Sequence, residues 1–154
     1  MSTQQEQKFV IFKLGEESYG IDILRVQGIE RMLEITNVPK TADFVEGVCN
    51  LRGSIVPVID LRRRFSLEQK DYSDDTRIIV VSIDEVKVGL IVDSANDVIS
   101  INEEEIEPAP SVIDSIDNRF IKGVGKVDER LIILLDLQEI LKKEEIVKLQ
   151  EITD

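Results

Sequence analysis

The chain has 154 residues, of which 42% are hydrophobic, so it can bury the core of one compact domain or of two closely packed small ones. Its 31 acidic and 19 basic side chains give a formal net charge of −12, which argues against binding to nucleic acids or anionic membranes. With no histidine and one cysteine, it has no histidine-dependent catalytic site and no internal disulfide.

The first segment is predicted to be a β-hairpin. Phe9–Phe12 carries apolar residues toward both faces, which is typical of a central strand. The turn is expected at Gly15–Ser18, and the chain returns through Tyr19–Ile23. Asp22 is a candidate cap for a short helical turn after this hairpin.

The next segment is predicted to be a strand followed by a short helix. The strand is expected over Ile29–Ile35 and ends before Asn37–Pro39. Thr41 is a candidate N-cap for a helix through Glu46, whose apolar residues would face inward.

The stretch Gly47–Phe65, GVCNLRGSIVPVIDLRRRF, predicts a strand, a tight turn, a second strand and a short helix. The turn is expected at Arg52–Gly53. Because Pro57 has no amide hydrogen, the second strand should be an edge strand or contain a bulge there. Asp60 is expected to cap the helix.

The helix carries the basic run Arg62–Arg64. Such a run is either an ordinary solvated helix face or a local basic patch for a partner. The solvated helix face is favoured over the basic patch.

The second half begins after a polar linker, Ser66–Thr76. Its predicted elements, in order, are strands Arg77–Ile83, Val86–Asp93 and Val98–Ile101, a turn at Glu103–Glu105, an extended loop Pro108–Ile113, a hairpin Phe120–Leu135 and a helix Asp136–Ile152.

Two pairs of segments repeat along the chain. Gly47–Phe65 aligns without gaps with Gly123–Leu141, and Lys8–Gly20 aligns without gaps with Arg77–Gly89. Each pair keeps one constant offset along its whole length. Self-similarity in two ordered pairs indicates a duplicated small β domain.

No motif for catalysis or metal binding is present. The chain lacks CxxC, GxGxxG and GxxxxGK[ST], and its acidic pairs fall in predicted loops. Cys49 is interpreted as a small buried residue rather than a nucleophile. No catalytic residue, metal or cofactor is therefore predicted, and an interaction module is favoured over two alternatives, a small-molecule sensor and an enzyme built on two converging carboxylates.

The stretch GVCNLRGSIVPVIDL, with YGIDILRVQGI before it and VGLIVDSANDV after it, resembles the CheW-like domain family of bacterial chemotaxis. The resemblance runs from about Phe9 to Leu149. It implies a mainly β fold, with two interlocked five-stranded small β-barrels, short helices and a C-terminal helix. The whole chain, 1–154, would be one such domain, with barrel one at 15–76, barrel two at 77–135 plus strand 8–14, and the final helix at 136–152.

The resemblance also implies a function. Members of the family are non-enzymatic scaffolds that couple chemoreceptors (methyl-accepting chemotaxis proteins) to the histidine kinase CheA. The implied partners are the regulatory domain of CheA and the cytoplasmic hairpin tip of the receptor. The implied location is cytoplasmic, with partners attaching the chain to membrane receptor arrays. No segment of the sequence is apolar enough to span a membrane by itself.

Matching positions imply a receptor-binding groove between the barrels at Val26, Ile29, Val98 and, more weakly, Leu14. The alternative is that these are ordinary core residues. Arg52 is implied at the junction of receptor and kinase contacts, with the alternative that it joins the two barrels internally.

The implied kinase surface lies around Val86–Gly89 and Ser94–Asp97, with a further contact in Glu107–Val112. Its candidate residues are Val86, Val88, Gly89, Ala95, Glu107 and Val112. The chain departs from the family pattern in the last segment, where Glu107 is acidic and Val112 replaces an aromatic residue.

Overall fold

The computed structural model describes residues 6–108 and 117–153, and the chain is mainly β there. The strands are β1 (Glu6–Leu14), β2 (Glu17–Asp22), β3 (Val26–Arg31), β4 (Val45–Leu51), β5 (Ser54–Asp60), β6 (Arg77–Ile83), β7 (Val86–Val92), β8 (Ser94–Asn102), β9 (Ile106–Glu107), β10 (Ile121–Val127) and β11 (Arg130–Leu135). The helices are α1 (Leu61–Arg64), α2 (Leu137–Ile140) and α3 (Lys143–Thr153), with 3-10 turns at Ile23–Arg25, Glu103–Glu105 and Asn118–Phe120. No helix in these two ranges is long and apolar enough to cross a membrane.

The strands form two sheets. The six-stranded sheet has the order β8-β1-β2-β11-β10-β9, and the five-stranded sheet has the order β3-β6-β7-β5-β4. The sixth strand, β9, arises because the chain turns at Glu103–Glu105 and pairs with β10 at the edge opposite β8. This short turn therefore links the two edges of the sheet, which must curl to bring them near each other. Closure of either sheet into a barrel stays a prediction.

The sheets divide the chain differently from the predicted halves. β2, expected in barrel one, pairs with β1 and in parallel with β11, whereas β6 and β7, expected in barrel two, pair with β3 and β5. Each repeat thus gives its first hairpin to the sheet of the other repeat. Strand partners so distant in sequence leave no local signal, so a division of the chain after Thr76 does not separate the two sheets.

Apolar residues cover both faces of each sheet. Along β1, Phe9 and Ile11 join a small cluster of the six-stranded sheet, whereas Val10 and Phe12 join a central cluster between the sheets. The five-stranded sheet has a small cluster of its own on its other face, around Val58. The predicted two-faced strand is confirmed for β1, because alternate side chains serve different clusters.

The duplicated hairpins have matching local geometry. Asp60 Oδ1 accepts the Arg62 N–H at 2.9 Å, and its equivalent Asp136 Oδ1 accepts the Gln138 N–H at 3.1 Å. These caps confirm the predicted start of α1 and support the alignment of the two copies.

The parallel pairings also match between the copies. Val58 lies opposite Gly89 in one sheet, and Leu134 lies opposite Gly20 in the other. In the sequence alignment of the copies, Val58 corresponds to Leu134 and Gly20 corresponds to Gly89. The repeat seen in the sequence is therefore also a repeat of strand pairing.

Three local predictions were wrong. Thr41 does not cap a helix, since its hydroxyl donates to the Val38 carbonyl and β4 begins in extended form at Val45. The strand that contains Pro57, β5, is internal and not an edge strand, and its pairing with β7 begins one residue after Pro57. The predicted bulge is not at Pro57 either, because the register shift lies in the partner strand β4, between Val45 and Gly47. The predicted terminal helix is interrupted at 141–142 into α2 and α3.

Candidate partner-binding surfaces

Two edge strands, β3 and β8, expose apolar side chains at equivalent positions of the repeat. Equivalent here means separated by the same offset as the aligned first hairpins, Lys8–Gly20 and Arg77–Gly89. Ile29 is 41% exposed and pairs with Ile79, and Val98 is 54% exposed and pairs with Val10. Ile79 and Val10 both belong to the central cluster between the sheets. Because directly paired residues share a face of the sheet, Ile29 and Val98 extend this cluster to the molecular surface.

Val26 and Ala95 are a second equivalent pair on the same two strands. Val26 pairs with Val81 and Ala95 pairs with Phe12, and both are half-buried against the central cluster. A predicted receptor residue and a predicted kinase residue thus occupy matching places on two margins of one core. We call β3 and β8, with these four side chains, the two margins.

Several predicted contact residues lie beneath the surface. Leu14 and Val88 are 2% and 0% exposed in the central cluster, and Val86 is half-buried against it. A side chain added at Gly89 would place its Cβ 2.8 Å from Ile78 Cγ2, too close for real contacts. These residues support the surface from within, and only Val86 among them reaches solvent.

Arg52 lies at the tip of the β4–β5 hairpin. Its backbone has φ of +52°, the Asn50 side chain accepts the Gly53 N–H at 3.0 Å, and the Arg52 side chain is 81% exposed. Its Nη2 lies 3.5 Å from Glu30 Oε2. Both residues belong to the five-stranded sheet, so this contact does not join the two sheets. An exposed pair of this kind contributes about 0.2–1 kcal/mol, which leaves Arg52 free to change partners.

A small cavity connects Arg52 with its neighbours. It has a volume of about 130 Å³ and is lined by residues that include Gln27, Glu30, Arg52, Ser54 and Lys87. The hairpin tip therefore lies beside strand β3 and the start of β7. Arg52 is thus near β3 and β7, but on the opposite face of the sheet from Val26, Ile29 and Val86.

The third predicted contact segment is separate. Glu107 is exposed on β9, at the edge of the six-stranded sheet opposite β8, and it pairs with Val124. Val86 belongs to the other sheet. Val112 lies outside the described residues, as does most of the predicted loop Pro108–Ile113.

The basic run on α1 makes internal ion pairs. Arg62 pairs with Asp93, Arg63 with Glu46, and Arg64 with Glu145. Neither sequence interpretation anticipated this. In the two described ranges, no group of three or more histidine, cysteine, aspartate or glutamate side chains could hold a metal ion.

Leu24 was not among the predicted contact residues, although it is the most exposed large apolar residue in the described ranges. Leu24 is 88% exposed in the 3-10 turn between β2 and β3, close in sequence to the β3 margin. The sequence signal for its exposure was an apolar residue within a predicted turn capped by Asp22. In the structure the Asp22 Oδ1 accepts the Leu24 N–H at 3.0 Å.

Comparisons with known proteins agree on one family. The family model described as the CheW-like domain matches residues 8–145. The chain is 43% identical over 139 residues to the chemotaxis protein CheW of Klebsiella aerogenes, covering 90% of this chain and 84% of that protein. It is 38% identical over 138 residues to the CheW of Bacillus subtilis, covering 90% and 88%. The crystal structure of the scaffolding protein TtCheW from Thermoanaerobacter tengcongensis superposes with a TM-score of 0.83 at 43% identity, covering 92% of this chain and 91% of that one.

Proposed function

The chain belongs to the CheW-like domain family, and we propose that it is a non-enzymatic adaptor of chemotaxis that couples chemoreceptors to the histidine kinase CheA. The observation that carries the proposal is the pair of exposed apolar margins, with Ile29 and Val98 at equivalent positions. Relatives named as chemotaxis and scaffolding proteins support the same role.

The receptor is proposed to bind across the two margins. An amphipathic helix buries its apolar face in a groove, and a few buried anchors supply most of the affinity. Ile29 and Val98 are exposed enough to be such anchors, with Val26 at the boundary of the core. Leu14 is proposed only as their support from below, because it is buried.

The kinase is proposed to bind around Val86 at the start of β7 and Ala95 at the start of β8, both half-buried against the central cluster, with Glu107 as a separate contact at the opposite edge of the six-stranded sheet from β8. Arg52 is proposed to contact either partner from the hairpin tip, and its position next to Lys87 and β3 supports this. A guanidinium suits carboxylates and backbone carbonyls of a partner. The adaptor would act by holding both partners at once, which raises their effective concentration for each other.

A small-molecule sensor is the competing function. A cavity of about 610 Å³ lies between the 40–45 loop and α3, lined in part by Phe44, Val45, Leu149 and Ile152. It is not lined by residues of either margin. A sensor predicts thermal stabilisation by a small ligand without any protein partner.

The test uses calorimetric titration with a receptor hairpin fragment. Ile29→Glu and Val98→Glu should each weaken binding by about tenfold or more, because a charge replaces an apolar anchor. Leu131→Glu is the matched control, since Leu131 is 61% exposed on β11 and lies on neither margin. Equal loss in all three variants, or no loss in the first two while they remain folded, contradicts the proposed receptor surface.

A further inference from the structure

The chain crosses from one sheet to the other at two equivalent places. β2 of the six-stranded sheet leads to β3 of the five-stranded sheet through the turn Ile23–Arg25. β7 of the five-stranded sheet leads to β8 of the six-stranded sheet through Asp93 alone. Leu24 and Asp93 are separated by the same offset as the aligned first hairpins, so they occupy corresponding positions in the repeat.

Asp93 is fixed by groups from three segments. Its Oδ2 accepts the Gly15 N–H at 2.7 Å, and its own N–H donates to the Lys13 carbonyl at 3.0 Å. Arg62 binds both carboxylate oxygens, with Nε 2.9 Å from Oδ1 and Nη2 bonded to Oδ2. A bidentate pair of this type fixes direction as well as distance.

Arg62 is held at both ends. Its backbone N–H donates to Asp60 Oδ1 at 2.9 Å, and its Nη1 donates to the Glu68 carbonyl at 2.6 Å. The side chains of Arg62 and Asp93 are 12% and 17% exposed, so water screens the pair only partly. The crossing into β8 is thus tied to α1, to the linker and to the β1–β2 turn.

Among the residues that the structure describes, none makes a comparable contact at the other crossing. The Leu24 N–H is bonded to Asp22 two residues away, and the Leu24 side chain is 88% exposed. The position that carries a locked carboxylate before β8 carries a solvent-exposed leucine before β3. The two margins are therefore attached to the core by different means.

We propose that Arg62 and Asp93 are positioning residues that hold the β8 margin, with Ala95 and Val98, in a fixed arrangement relative to β7. The inference rests on the proposed function, because β8 carries part of the receptor surface and β7 begins at the proposed kinase surface. The ion pair makes the β8 margin preformed, so that binding does not have to order it first.

The charge state of the carboxylate agrees with this role. Burial alone would raise the pKa of Asp93, but the hydrogen bonds from Arg62 and Gly15 outweigh it and leave the pKa below its usual value. The hydrogen bond to Asp93 raises the pKa of Arg62. Both groups are charged at neutral pH.

The test compares Asp93→Asn and Arg62→Gln with the matched variant Asp22→Asn at the other crossing. Affinity for a receptor hairpin fragment is measured by calorimetry well below each unfolding midpoint, with amide hydrogen exchange of β8 as a second readout. Loss of the pair should weaken binding by about tenfold and speed exchange in β8, and the double variant should be no worse than either single one. Asp22→Asn should change affinity by less than about twofold, because asparagine also caps.

A merely structural role would lower the unfolding midpoint and leave affinity and β8 exchange of the folded variant unchanged, and that result overturns the inference. Arg62→Lys keeps the charge but loses the bidentate contact, and it replaces Asp93→Asn if that variant does not fold. If the unaltered protein binds no receptor fragment, the proposed function fails. Amide hydrogen exchange of β8 in the variants then tests the positioning role by itself, and exchange that is unchanged from the unaltered protein overturns that role.

Discussion

The two copies of the hairpin–helix unit, residues 47–65 and 123–141, have the same backbone plan and different side chains on their helices. Each copy has a register shift beside its first glycine and an aspartate cap before its helix. α1 then carries Arg62–Arg64, whereas α2 carries Gln138, Glu139 and Ile140 at the same places.

The arginines of the first copy contact the rest of the protein. Arg64 donates to the Ile140 carbonyl at 2.6 Å and pairs with Glu145 at 3.1 Å. Its guanidinium lies 4.6 Å from the Phe44 ring centre and 5.2 Å from that of Phe120, the equivalent phenylalanines of the two copies. The shared pattern thus builds each unit, and the unshared Arg64 joins the two units to each other.

The largest predicted effect concerns the first glycine of the unit, which both copies share. In Gly47→Ala the new Cβ would lie 2.0 Å from the Thr36 carbonyl oxygen, at a φ of +147°, so we expect a loss of about 3 kcal/mol or more in unfolding free energy. Gly123→Ala would place Cβ 2.8 Å from the Ile106 side chain and 2.9 Å from the Glu107 carbonyl oxygen on the short strand β9. A short edge strand can shift, so its loss should be smaller. Urea unfolding measures both, and a larger loss for Gly123→Ala contradicts this order.

The next effect concerns Arg64, which has no arginine counterpart in the second copy. Arg64→Ala leaves the Ile140 carbonyl and Glu145 without this donor and should cost about 2 kcal/mol. Glu139→Ala, at the position of α2 that corresponds to Arg63, is exposed and should change stability by less than about 0.5 kcal/mol. Equal losses in thermal or urea unfolding would show that α1 does not join the copies more strongly than α2.

The two helix caps should differ less. Asp60→Ala removes the cap of α1 and the acceptor of the Tyr72 hydroxyl at 3.3 Å, at a residue that is 3% exposed, so we expect about 2 kcal/mol. Asp136→Ala removes only a half-buried cap and should cost about 1 kcal/mol. A larger loss of unfolding free energy in Asp136→Ala than in Asp60→Ala would contradict this order.

The smallest effect is the pH dependence of the Arg62–Asp93 pair. The pKa of Asp93 is lowered in the folded protein, so its contribution to stability is complete above the unfolded pKa of about 3.9 and is lost as the pH falls toward the folded value. The difference in unfolding free energy between the unaltered protein and Asp93→Asn should therefore be constant near neutral pH and shrink below about pH 4. A difference that grows on acidification contradicts this sign.

Local features could be predicted from the sequence. The cap at Asp60, the turn at Arg52–Gly53 and the repeat offsets depend on neighbours within a few residues or on direct similarity, and the structure confirms them. The helix expected after Thr41 failed because burial of Phe44 and Val45 is equally compatible with an extended chain.

Features that depend on distant partners could not be predicted. The exchange of first hairpins between the repeats joins strands far apart in sequence, such as β2 and β11. Leu14 and Val98 are both apolar strand residues, yet one is 2% and the other 54% exposed, because β1 is internal and β8 is an edge. The acidic partners of Arg62 and Arg64 were likewise hidden, because Asp93 and Glu145 lie far along the chain from α1.

The most direct test of the adaptor role is sedimentation velocity of the chain mixed with the regulatory domain of the CheA kinase and a receptor hairpin fragment. A ternary complex that sediments faster than either binary complex is expected, because the proposed receptor anchors, Ile29 and Val98, and the proposed kinase contacts, Val86 and Glu107, are different residues. Binding of only one partner at a time, or of neither to the folded chain, would contradict it.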